Sequence, residues 1–222
     1  MSHDLTDLLR EWPFQPGDFM TRAVTGDDGR PLLQIRVDLG ILQMELDGRP
    51  DGQASALAAA GSSHQDPDHA RSIRAELTQF DSRAQVLLVL GEHARAAQDA
   101  DHMLQCARWL AEAAGDDPAT QHALVRSITL RARAASQAAL AGKRTDLARL
   151  ALEGGLAELK SLLSPEAFEN ANEVHLLNGM KDLLVPRLPG SQRAELEDRL
   201  RKALAAENYE LAAILRDELR MM

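Results

Sequence analysis

Arg83 to Leu110 reads RAQVLLVLGEHARAAQDADHMLQCARWL, two apolar-periodic runs separated by Gly91-Glu92-His93. The first run extends back to about Asp68. Ile73, Leu77, Phe80, Ala84, Leu87 and Leu88 recur with the 3.6-residue period of a helix that buries one face. The second continues from Ala94 to Ala114 through Ala97, Met103, Leu104, Ala107, Leu110 and Ala111. Gly115-Asp116-Asp117-Pro118 ends it and starts another helix. Beyond that signal the pattern returns. Arg131 to Leu159 reads RARAASQAALAGKRTDLARLALEGGLAEL, which aligns with the first stretch at an offset of about fifty residues. Helices over Ala119–Ala141 and Thr145–Leu163, divided by Gly142-Lys143-Arg144, form a second pair. Two helix pairs of alanine and leucine decide the fold class: mainly α, with a repeat-like helical bundle as its body.

Working outward, residues 53–67 (QASALAAAGSSHQDP) are small and polar and read as a linker. Residues 1–52 form a head. Its first twelve residues suggest a short helix with Leu5, Leu8, Leu9 and Trp12 on one side, stopped by Pro13 and Pro16. Trp12 is expected to staple that helix to the body. A strand is expected over Phe19–Thr25, then a turn at Gly26-Asp27-Asp28-Gly29. In PLLQIRVDLGILQMEL the apolar parity changes beside Gly40, which predicts a β-hairpin with a bulged second strand.

On the other side, Ser164-Pro165-Glu166 is an N-cap followed by proline at the first helical position. One or two helices then run to about Val185, completing a body over 68–185. Pro186-Arg187-Leu188-Pro189-Gly190 separates it from a tail over 191–222. There Leu196, Leu200 and Leu204 form one stripe, and Leu211, Leu215 and Leu219 a second. Glu207-Asn208 lies between them, so the tail reads as a C-terminal antiparallel helical hairpin.

Composition bounds the function. The chain has 222 residues, enough for one or two domains. Aromatics make up only 3%, and the net charge is -9, which argues against nonspecific binding to nucleic acid. Much of the excess lies in residues 1–69, with 12 acidic against 5 basic side chains. The one cysteine, Cys106, excludes an internal disulfide, fits a reducing compartment and is expected to be a buried inert thiol. Without a leader pattern or a long apolar run, a cytoplasmic location is expected.

No phosphate loop, GxGxxG, CxxC or HExxH occurs in the sequence. Asp99, Asp101 and His102 cluster on one helix, but a solvated face explains them better than a metal. No catalytic residue, cofactor or metal ligand is therefore assigned, and no enzymatic activity is expected.

Two stretches resemble known families. Glu207-Asn208-Tyr209-Glu210-Leu211-Ala212-Ala213-Ile214-Leu215-Arg216-Asp217-Glu218-Leu219 resembles the UVR motif. This is the helical hairpin of the UvrB and UvrC proteins of bacterial excision repair, found also in some Clp ATPases and in activators of bacterial protein arginine kinase. Tyr209-Glu210, Ala212-Ala213 and Leu215-Arg216-Asp217 carry the resemblance. Val37 to Gly52 (VDLGILQMELDGRPDG) is similar to the start of a set of bacterial proteins that end in such a motif and have a helical middle. The two helix pairs resemble tetratricopeptide packing, although their offset exceeds the usual 34 residues.

The resemblance implies a non-enzymatic adaptor that binds a protein partner through the tail. The partner would be an excision-repair subunit, a Clp-type complex or a second copy in coiled-coil fashion, with neither direct nucleic-acid contact nor membrane. Tyr209, Leu211, Ala212, Ala213, Leu215 and Leu219 are expected to supply the apolar contact, with Leu196, Leu200 and Leu204 facing them. Glu210, Arg216 and Asp217 are expected to set register through ion pairs. The alternative is a helical sensor that binds a ligand or peptide in its body and dimerises through the tail. A polar-lined pocket between the helix pairs would favour that reading, and a filled alanine–leucine interior would count against it.

Overall fold

A computed structural model describes residues 5–61, 66–114, 117–184, 190–206 and 208–220, and for residues 114, 190–193 and 210 the backbone alone. It divides into two compact units, Met1–Asn178 and Gly179–Met222. The architecture is mainly α, with a small antiparallel sheet near the N-terminus.

After a short helix α1 (Thr6–Glu11), the head forms three strands, β1 (Thr21–Thr25), β2 (Pro31–Val37) and β3 (Gly40–Glu45), in the order β1-β2-β3. The expected single hairpin with a bulged second strand is thus corrected to a three-stranded meander. The parity change beside Gly40 marks a chain reversal, in which Val37 pairs with Gly40 across Asp38-Leu39. Neither turn residue has positive φ, so the usual Asn-Gly or Asp-Gly signal is missing. Arg36 supplies what the turn lacks: its guanidinium donates to the carbonyls of Val37, Asp38 and Gly40. The Gly26–Gly29 turn forms as expected, closed by Gly26 N–H donating to the Arg30 carbonyl at 2.8 Å.

β2 is buried on both faces. Leu33 and Ile35 point into the main core, and Arg22, Gln34 and Gln43 link the opposite face by hydrogen bonds of 2.9 Å. Trp12 lies against Arg22, with the guanidinium carbon 4.1 Å from the ring centroid, so it staples α1 to the sheet and not to the helical body.

Residues 56–60, read in the sequence as linker, instead form a helix α2 (Ala56–Ala60) that packs on the next helix. Four long helices follow: α3 (Pro67–Val89), α4 (His93–Ala114), α5 (Pro118–Ala141) and α6 (Thr145–Leu162). Asp66 and Asp117 cap α3 and α5 with their carboxylates, each ahead of a proline at the first turn. Each long helix packs on the next, and ion pairs join alternate ones. Arg74–Asp117 (2.9 Å) and Arg126–Asp81 (2.9 Å) tie α3 to α5, and Arg108–Glu158 (3.5 Å) ties α4 to α6.

The two pairs match at their turns as well. Glu92 N–H reaches back to the Leu87 carbonyl and Arg144 N–H to that of Ala139, both across a left-handed residue. That residue is Gly91 (φ 80°) in the first pair and Lys143 (φ 57°) in the second. α5 and α6 approach so closely that a β-carbon on Gly155 would sit 2.5 Å from that of Ala132. The body continues through α7 (Pro165–Asn170) and into α8 (Asn172–Leu183), which crosses the boundary between the two units. The tail holds α9 (Gly190–Ala205) and α10 (Tyr209–Arg220). The spacer over 186–189 and Glu207 lie outside the described residues.

Candidate functional site

The tail hairpin is assembled from ordinary capping chemistry and a core of its own. Asn208 caps α10, its side-chain oxygen accepting from Leu211 N–H at 3.1 Å. Its own N–H donates to the Ala203 carbonyl at 2.9 Å, closing α9. Leu196, Ala203, Ala212 and Leu215 are buried together, with Leu200 and Leu219 packed against them. These positions alternate by three and four residues along each helix, the spacing of a coiled-coil seam.

The seam departs from the expected stripes at particular residues. Leu204 does not face α10: it is 51% exposed, and Ala203 takes its place. A helix turns 400° in four residues, so a strict four-residue stripe drifts off one side, whereas 3.5 spacing follows a straight partner. Tyr209 (68% exposed) and Leu211 (39%) also lie outside the seam, as does Ile214 (60%). Ala213 is half-buried. Among the described residues, Arg216 and Asp217 pair with each other at 3.2 Å along the helix. The side chain of Glu210 lies outside the described residues.

In the body, the α3–α4 contact carries a buried polar seam. Arg83 forms a bidentate pair with Asp99 at 2.7 and 2.8 Å and donates to the carbonyls of Glu45 (2.9 Å) and Gly48 (2.7 Å). Both side chains are almost fully buried, so this pair fastens the end of β3 to two helices. Burial pushes the Asp99 carboxyl above its ordinary value, against the pull of the Arg83 guanidinium. The solvated face expected for Asp99 and His102 is therefore corrected: it is the face that meets α3. Asp101 points to solvent and toward Arg131, at 3.4 Å.

Two turns away along α3, the fully buried Glu76 ties three helices together. One carboxylate oxygen accepts from Ser55 Oγ at 2.8 Å and lies 2.7 Å from His102 Nε2. The other accepts from the N–H groups of Ala56 (2.5 Å) and Leu57 (3.3 Å) at the start of α2. Burial would raise this carboxyl, but Ser55, His102 and the Ala56 N–H together hold it below its ordinary value. His102 lies against Phe80, with ring centroids 4.1 Å apart. Cys106 is buried nearby, and burial pushes its thiol up to about 12, consistent with the unreactive thiol expected. Trp109 is core, its Nε1–H donating to the Gly61 carbonyl at 2.8 Å.

Glu76 and Arg83 carried no motif, but a positional signal was available. Ile73, Glu76, Phe80, Arg83 and Leu87 fall at alternating three- and four-residue steps, so two charged residues stand in a core register. Such residues need dedicated partners.

A cleft of about 400 Å³ lies beside α3, α5 and α8, lined by Gln85, His122, Arg126, Arg133 and Glu173 among others. Arg126 is engaged by Asp81. Buried residues such as Ala100, Met103, Leu104, Ile128 and Ala132 pack where the helix pairs meet. A second cleft of about 330 Å³ opens between α4, α5 and α6, lined by Asp101, Arg131, Gly154 and Glu158 among others. No helix among the described residues is long and apolar enough to cross a membrane.

No family model, curated protein or solved structure matches this chain. The functional reading therefore rests on the residues themselves.

Proposed function

We propose that this chain is a non-enzymatic adaptor of the bacterial cytoplasm, docking a protein partner through the outer face of a UVR-type tail hairpin. The observation that carries the reading is the division of apolar residues in the tail. Leu196, Ala203, Ala212 and Leu215 satisfy the hairpin, yet Leu204, Tyr209, Leu211 and Ile214 remain exposed. Large apolar side chains that the hairpin's own seam does not use are available to a partner, Leu211 and Ile214 side by side at three-residue spacing. The resemblance in Tyr209-Glu210, Ala212-Ala213 and Leu215-Arg216-Asp217 supports a partner of excision-repair type, of Clp type, or a second copy of the chain.

The discriminating experiment uses the double variant Leu211→Asp, Ile214→Asp, which leaves the seam residues in place. Purified wild-type chain is tested against UvrB-type and Clp-type proteins and for self-association by sedimentation. Binding or dimerisation by the wild type that the variant loses supports docking through this face. Binding that survives in the variant moves the contact elsewhere, and absence of both partner binding and self-association removes the reading.

A second reading, a body that binds a small ligand or peptide, draws on the polar-lined cleft beside α3, α5 and α8. That cleft touches both helix pairs, which favours this reading, and the packed alanine–leucine core beside it counts against it. Arg133→Ala would abolish ligand-induced stabilisation if that cleft is the site.

A further inference from the structure

The seam between α3 and α4 brings together three different donor chemistries. A Glu76 carboxylate oxygen, a ring nitrogen of His102 and the Cys106 sulfur all lie within 4.8 Å of one another. His102 and Cys106 are four residues apart on α4, so one helix face presents both, and Glu76 meets them from α3. We propose that Glu76, His102 and Cys106 form a binding site for a zinc-type divalent cation.

The geometry asks for a small adjustment. Ligands at about 2.0–2.3 Å from a tetrahedral zinc ion are separated by roughly 3.3–3.8 Å. The Glu76–His102 contact of 2.7 Å must therefore open by about half an ångström or more. Any pair near the 4.8 Å limit must close by about one. All three groups sit on the packed helices α3 and α4, so the adjustment falls to their side-chain torsions.

The surroundings fit a metal ligand set. Metal-binding carboxylates are usually oriented by further hydrogen bonds. Here the second oxygen of Glu76 is held by two backbone N–H groups, and Ser55 fixes the first. Thiolate and imidazole favour zinc and similar transition metals over calcium or magnesium, which take oxygen. Charge also balances: a divalent cation with one carboxylate, one thiolate and a neutral imidazole is a neutral cluster, which the interior tolerates. Glu76 and Cys106 are fully buried, whereas the His102 side chain is 24% exposed. Entry, and a fourth donor from solvent, therefore come from the His102 side.

Binding converts the Cys106 thiol to thiolate and releases its proton to solvent, while the neutral His102 ring carries its single proton on the nitrogen that does not ligate the metal. Cysteine ligates a metal as the thiolate, so near pH 7 one proton appears for each ion bound.

The test is titration of the full reduced chain with cobalt(II), followed by competition with zinc. Expected are a thiolate-to-cobalt charge-transfer absorption saturating at one equivalent, release of a proton, and a zinc-dependent rise in melting temperature. Cys106→Ser and His102→Ala should weaken binding by more than the roughly 10–100-fold that loss of a supporting hydrogen bond costs. Ser55→Ala should fall within that range. Cys106→Ala provides a second thiol-free variant should the buried serine hydroxyl impair folding, and circular dichroism checks both. Absence of the charge-transfer absorption overturns the proposal and leaves Glu76 as a structural cap only. So does cobalt binding that persists unchanged in His102→Ala or in a folded Cys106 variant.

Discussion

Gly154 and Gly155 are adjacent in α6 and should respond to alanine with opposite signs. In a helix interior, glycine to alanine is worth about 0.8–1 kcal/mol of stabilisation from propensity alone. At Gly154 a new β-carbon meets nothing within 4 Å, so Gly154→Ala should gain close to that full amount. At Gly155 the same carbon would stand 2.5 Å from Ala132 Cβ and 3.3 Å from Leu177 Cδ1. Ala132 Cβ is fixed to the backbone and cannot rotate away, so α5 and α6 must separate. Overpacking of this kind costs about 1–3 kcal/mol, which cancels or exceeds the gain. The two variants should therefore differ by about 1–3 kcal/mol, a gap in melting temperature of about 2–12 °C for a unit of this size. Both tryptophans, Trp12 and Trp109, lie in the unit Met1–Asn178, so their fluorescence follows its unfolding in urea without interference from the tail. Ala132→Gly combined with Gly155→Ala moves one methyl across the contact and should recover most of the packing loss. Equal stabilisation by both single alanines would refute the close approach of α5 and α6.

Three further outcomes follow from the buried groups. Asp99→Ala strands the Arg83 guanidinium in the core and should cost about 3–5 kcal/mol in urea unfolding; a loss below about 1 kcal/mol would mean that water reaches the pair. The Glu76 carboxyl, held below its ordinary value of 4.5 in the folded state, contributes stability that is fully present above that value and is lost as pH falls through the folded-state pKa. Glu76→Gln should destabilise by about 1–3 kcal/mol near pH 7 and flatten the acid limb of the stability profile, and an unchanged limb would assign it to other carboxylates. In the tail, Leu215→Ala should cost about 2–5 kcal/mol and abolish amide protection in α9 and α10. Ile214→Ser, on the outer face, should stay within about 0.5 kcal/mol of wild type, and equal loss from both would mean that the seam has been placed on the wrong side.

What could be read from the sequence depended on whether residues signalled through period or through partnership. The long helices are legible because Ile73, Phe80 and Leu87 repeat over many turns, and because Asp117 precedes the proline that opens α5. The Asp38-Leu39 turn was hidden, since Arg36 does by side-chain hydrogen bonds what glycine chemistry does elsewhere. α2 was hidden for a different reason. Five residues of alanine and leucine have no detectable period, and their stability comes from Ser55 and from Glu76, twenty residues away. In the tail, the leucines dominated the reading of the stripe although Ala203 holds the inner position. The polar seam of Glu76, Arg83, Asp99 and His102 could not be recognised from residue type, because a charged residue on an amphipathic helix ordinarily faces water. Only its place in the core register distinguishes it.

Stacked helix pairs always leave the first pair with an unfinished apolar flank. Here β2 and β3 lay Leu33, Ile35 and Met44 on α3 and α4, and Arg83 locks the end of β3 in place. Arrays with a bare terminal pair can add copies end to end and grow into fibres. In this chain that flank is covered by its own sheet, so a variant that loosens the sheet, such as Leu33→Asp, should expose it and raise the concentration-dependent association seen in sedimentation.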